Sequence, residues 1–137
     1  MAAQLSQEDN NVTVVDKDSD VIRNITGLYD VMGVVGNGAS YNTLQEADIE
    51  HADLLIAVSR SDELNLLCCV VARQAGRCHT IARVRNSVYR KEKEFIRREL
   101  GLSMIINPEF AAAQEIARLL RFPTAIEIDS FSKGRVE

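Results

Sequence analysis

Residues 52–65 read ADLLIAVSRSDELN. Within them Asp53 to Val58, DLLIAV, is one strand-length run of apolar residues with no alternation, the pattern of a strand covered on both faces of a parallel sheet. Ser59-Arg60-Ser61-Asp62 follows at once and supplies a capping-box start for a helix that reaches about Gly76. A buried strand handing over to a helix is half of a βαβ unit.

The rest of the chain repeats the unit. Upstream, Asn11 to Asp16 (NVTVVD) is a β-branched run ending in an acid, and Val21, Ile22, Ile25 and Leu28 recur at helical spacing within Ser19 to Leu28. Tyr29 to Val35 is a second apolar strand closed by Gly36-Asn37-Gly38, after which Ser40 caps a helix containing Leu44 and Ala47. Downstream, Thr80 to Val84 is a strand, Ser87 opens a strongly charged helix that Gly101 ends, and Ser103 to Ile106 is a short strand. Asn107-Pro108-Glu109 gives a cap, a first-turn proline and an acid at the positive helix end, so a helix runs from there to about Arg121, before Pro123. Ala125 to Asp129 begins another strand pattern. Strands separated by helices predict right-handed crossovers and an α/β fold: a Rossmann-like, doubly wound parallel sheet with helices on both faces.

With 137 residues the chain is one domain's length, and 46% hydrophobic, 26% charged and 5% aromatic residues suit a soluble protein packed on aliphatic side chains. A net charge of −4 gives no general attraction to polyanions. The one basic stripe, Arg90, Lys91, Lys93, Arg97 and Arg98, is interleaved with Glu92, Glu94 and Glu99 and reads as a solvated helix face. Cys68, Cys69 and Cys78 are odd in number, lack metal-ligand spacing and follow no signal peptide, which implies a reducing cytosol. His51 and His79 are far apart and read as surface or turn residues, so no zinc site is expected. No apolar run approaches the roughly 18 residues of a membrane span.

In such a fold ligands lie across the carboxyl ends of the strands, so the residues just after each strand carry function. Asp16 is one of these. Its carboxylate suits both ribose hydroxyls of an adenosine and would repel a 2′-phosphate, although a plain helix-capping role fits the residue equally well. The glycine-rich phosphate fingerprint lies about 20 residues before the ribose acid. Asp16 has 15 residues ahead of it. Residues 2–9, AAQLSQED, read as later turns of a first helix. The expectation is a sheet led by VTVV (12–15), lacking a first strand and the glycine loop whose backbone N–H groups would hold a pyrophosphate, with an open edge or gap at that place.

At VTVVDKD (12–18), VVGNGAS (34–40), ADLLIAVSRSDELN (52–65) and TIARVR (80–85) the sequence closely resembles the TrkA family of potassium-uptake regulators, proteins of the RCK or KTN domain type. The resemblance implies a nucleotide-binding regulatory subunit and no enzyme. It would take NAD or NADH, or ATP and ADP as in relatives, and would gate a Trk- or Ktr-type potassium uptake system through ligand-dependent changes of shape. It further implies a homo-oligomer, a dimer or higher ring, in the cytoplasm at the inner face of the membrane, held there by a membrane potassium transporter subunit. Residues 1–123 would be an incomplete RCK N-terminal domain, and 124–137, with FSKGRVE (131–137), the start of a connection toward a C-terminal regulatory domain.

By this resemblance Asp16 matches the acid on the adenosine ribose. Gly38 and Ala39 match the loop near the adenine, Ser59 and Arg60 the turn beside the rest of the dinucleotide, and Arg83 an arginine facing the cofactor. From the residues alone, Gly38 also fits a turn glycine, and Arg83 or Arg85 a surface strand position. Two other functions compete: a fragment of an NAD-dependent dehydrogenase, for which no histidine stands in a plausible place, and a ligand-free dimerising module. The helix from Asn107 to Arg121, with Phe110, Ile116, Ala117 and Leu120 apolar, suits a partner subunit or the domain's own core alike.

Overall fold

The computed structural model describes residues 11–108. In chain order they form β1 (Thr13–Asp16), α1 (Ser19–Leu28), β2 (Met32–Val35), α2 (Tyr41–Glu46), a 3₁₀ turn (Ile49–His51), β3 (Leu54–Ala57), α3 (Asp62–Gly76), β4 (His79–Arg83), α4 (Ser87–Lys91), α5 (Lys93–Leu100) and β5 (Met104–Ile106). The expected helix beyond Asn107, the strand pattern at 125–129, the division near 123 and the helical reading of residues 2–9 lie outside the described residues.

Every strand pairing among the described residues is parallel. β1 pairs with β2 from Thr13↔Met32 to Asp16↔Val35. β4 stands between β3 and β5, in register Leu54↔His79 on one side and Ile81↔Met104 on the other. These are two separate sheets, ordered β1-β2 and β3-β4-β5. A doubly wound sheet runs 3-2-1-4-5-6, so described strands counted as the second to the sixth would divide at this point, where the first strand sits. Val14, Val15, Leu55 and Ile56 are half-buried and Leu54 is exposed, whereas the uninterrupted apolar run predicts burial on both faces.

Local chemistry sets the helix ends. Asp18, not Asp16, caps α1, its carboxylate accepting the Asp20 N–H at 2.9 Å. Ser61 caps α3 by accepting the Leu64 N–H at 3.1 Å. The third residue of α3 is thus a leucine, so the expected capping box does not form. Asp62 instead reaches across to the N–H groups of Arg85 at 3.0 Å and Asn86 at 2.8 Å. Gly101 ends α5 in the left-handed region, φ 72°, where a side chain is disfavoured.

The single charged helix expected after Ser87 is two helices. The backbone leaves helical geometry at Glu92, with φ −109° and ψ 19°. Tyr89 ties α4 to the start of α3 by donating its hydroxyl to Glu63 at 2.7 Å. Tyr89 and, from α5, Ile96 both pack against the core of the larger sheet. The break falls where neither glycine nor proline stands.

α3 is the centre of the core. Its Cys68 and Cys69 pack with Ala57, Ala82, Val84, Leu102 and Ile105. Ala72 packs with Leu44, Ile49 and Cys78. Among the described residues, β1, α1 and β2 contribute none to either cluster. All three cysteines are free and buried.

Candidate functional site

The residues singled out by sequence stand at the carboxyl ends of four parallel strands. Asp16 is the last residue of β1 and Arg83 the last of β4, while Gly38 and Ala39 follow β2 and Ser59 and Arg60 follow β3. The Asp16 carbonyl accepts the Gly36 N–H at 2.9 Å, which joins the end of β1 to the loop after β2. One carboxylate oxygen of Asp16 accepts the Asp18 N–H at 2.9 Å. With helix capping performed by Asp18, the half-buried Asp16 keeps acceptor capacity on its other oxygen.

The loop after β2 is a compact turn. The Asn37 side chain accepts the Ala39 N–H at 2.8 Å, and the Asn37 carbonyl accepts the Ser40 N–H at 2.9 Å. The glycine that packing obliges here is Gly36, because a Cβ on it would lie 2.6 Å from Thr43 Oγ1. At Gly38 an added Cβ would meet only Cys68 Sγ, at an ordinary 3.5 Å. Cys68 also donates its thiol hydrogen to the Gly38 carbonyl, with Sγ 2.9 Å from the oxygen.

On the larger sheet Asn65 gathers the site. It is 1% exposed. Its Oδ1 accepts from the Ser59 N–H at 2.8 Å and the Ser59 hydroxyl at 2.6 Å. Its Nδ2 donates to the carbonyls of Ser59 at 3.0 Å and Arg83 at 2.8 Å. One amide thereby pins the β3–α3 turn to the end of β4. Asn65 and Cys68 are the residues the sequence reading misses, and one signal was available: Asn65, Cys68, Cys69 and Ala72 are the buried positions of α3, so Asn65 is a polar residue on an apolar helical stripe.

Beside this network is an open cleft of about 760 Å³, lined by Arg60, Ser61, Asp62, Glu63, Arg85, Asn86, Arg90 and Asn107. Of the six residues singled out above, Arg60 is the one that lines it. The guanidinium reaching the β3–α3 turn belongs to Arg85, which donates to the Arg60 carbonyl at 3.0 Å. Three guanidinium groups face two carboxylates here. The bond from Tyr89 holds the Glu63 carboxyl below the usual range and pushes the Tyr89 phenol above its own, while Asp62 is engaged with the backbone of Arg85 and Asn86. The local balance therefore suits an anion.

The histidines stand elsewhere. His51 Nδ1 lies 2.7 Å from the Asp48 carboxylate, which raises its proton affinity, and His79 opens β4 at the opposite end from Arg83 with Nδ1 3.2 Å from Ser103 Oγ. Among the described residues no group of three histidines, cysteines or acids could hold a metal, and no helix is long and apolar enough to cross a membrane.

Parallel strands joined by helices, with polar loops at the strand ends, define a Rossmann-like domain. The chain belongs to the TrkA-N domain family, which matches residues 1–108. It is 37% identical over 139 aligned residues to the Trk system potassium uptake protein TrkA of Halomonas elongata, a match covering 100% of this chain and 30% of that protein. The chain thus spans under a third of the length of this curated relative. Among solved structures, the TrkA-N domain of the inner membrane protein ybaL from Escherichia coli superposes with a TM-score of 0.73 at 24% identity, over 85% of this chain and 84% of that one. The GsuK channel bound to NAD superposes with a TM-score of 0.64 at 21% identity, over 75% of this chain and 18% of that one. At such identities the structural likeness shows the fold.

Proposed function

We propose that the chain binds NAD or NADH across the carboxyl ends of its strands and acts as the sensing part of a regulator that docks on a membrane potassium transporter. One observation carries the reading: in a TrkA-N chain, four strand ends bearing an acid, a small-residue loop, a serine turn and arginines are linked by hydrogen bonds through Gly36, Asn65 and Cys68. Asp16 would take the ribose hydroxyls and disfavour a 2′-phosphate. Gly38 and Ala39 would let the adenine approach closely. Arg60, Arg83 and Arg85 would meet the negative charge of the rest of the ligand. The relative's name, Trk system potassium uptake protein, and the NAD-bound channel support the regulatory role, in which a ligand shifts shape only as far as its affinities for two shapes differ.

Adenine nucleotides are the second reading, favoured by a GsuK structure bound to ADP. A dehydrogenase reading has less support, because neither histidine stands at the carboxyl ends of the strands and hydride transfer needs an acid or base there.

Calorimetric titration with NADH, NAD, NADP and ADP tests the proposal. NADH or NAD should bind, NADP more weakly, and Asp16→Ala should lower NADH affinity about ten- to a hundredfold, the loss of a charge-assisted pair. ADP binding in preference to NADH would favour the second reading. No binding by any of the four would overturn both and leave a ligand-free interaction module.

A further inference from the structure

The two sheets share no ladder hydrogen bond among the described residues, so other contacts must register the loops at their carboxyl ends. The bond from Cys68 to the Gly38 carbonyl, 2.9 Å, makes such a contact between the β2–α2 loop and α3. Cys68 is three residues after Asn65, on the same buried face, and Asn65 holds Ser59 and the end of β4. We propose that Cys68 is a positioning residue of the nucleotide site: its thiol fixes the 36–39 loop to the helix that, through Asn65, fixes Ser59 and Arg83. This inference rests on the nucleotide reading above.

Three features fit the role. The loop is internally tied at Ala39 and Ser40, so holding one carbonyl orients the whole turn. A Cβ built on Gly38 already touches Cys68 Sγ at 3.5 Å, so the loop and the helix meet without slack. Burial pushes the Cys68 thiol up to about 11, so it remains a protonated donor across the physiological range.

The test compares the parent chain with Cys68→Ala, which removes the donor, and Cys68→Ser, which keeps one. Amide hydrogen exchange at Ala39 and Ser40 should quicken about three- to tenfold in Cys68→Ala, the equivalent of one hydrogen bond. Exchange at Ile25, in α1, should stay unchanged, and Cys68→Ser should restore most of the protection. NADH affinity should fall and recover in the same order. Unchanged exchange at Ala39 and Ser40 in Cys68→Ala would overturn the contact's role. Faster exchange with unaltered NADH affinity would overturn its link to the ligand. A parent that takes up no NADH would refute the nucleotide reading instead, while the exchange comparison still judges the contact.

Discussion

Asn65 shows how a single side chain can carry a site it need not touch. Its four hydrogen bonds use both faces of the amide, and every partner belongs to Ser59 or Arg83. Asn65→Ala would leave the Ser59 and Arg83 backbone groups facing an apolar wall, so a loss of about 2–4 kcal/mol in unfolding free energy is expected in denaturant titration. A loss below about 0.5 kcal/mol would mean that water replaces the amide without strain. Asp16 and Asp18 show the opposite degree of legibility. Sequence places an acid after β1, but only coordinates divide the labour, giving the cap to Asp18 and leaving Asp16 half-buried at the strand end.

At the scale of elements, helix starts were readable because their chemistry is local. Ser40 caps α2 and Ser61 caps α3 by bonding a group three residues away, and α3 ends at Gly76, where the sequence reading places its end. What local chemistry cannot encode is a tie between distant segments. The Tyr89 bond to Glu63, the capture of the Arg85 and Asn86 amides by Asp62 and the Cys68 contact all join residues 23 to 30 positions apart, and none has a sequence pattern of its own. Among the described residues the two sheets stand apart, with a break between β1 and β3. The break bears on affinity: a form of the chain extended ahead of Met1 by one strand and a glycine-rich turn should bind NADH roughly two to four powers of ten more tightly in calorimetry, the worth of two charge-assisted phosphate bonds. Equal affinities would place the phosphates elsewhere.

At the scale of the molecule, the core is built around thiols. Burial pushes Cys68 up to about 11 and Cys69 to about 12, against an ordinary 9.0. An unfolded chain ionises both from about pH 9 and the folded chain does not. Their contribution to stability is therefore whole below pH 9 and lost as pH rises toward 11 and 12, by up to about 1.4 kcal/mol per pH unit per thiol. Denaturant midpoints measured from pH 7 to 10.5 should fall above pH 9, and Cys69→Ala, though less stable throughout, should fall less steeply.

The thiols and their neighbours also make the molecule uneven. Since β1, α1 and β2 supply no described residue to either buried cluster, amide exchange in β1 and β2 should be faster than in β3 and β4, the mark of a unit that opens at a smaller free-energy cost than the sheet beside it. A nucleotide lying across both, as proposed, would add its binding energy to that smaller cost. Occupancy would then convert two units of unequal strength into one cooperative body.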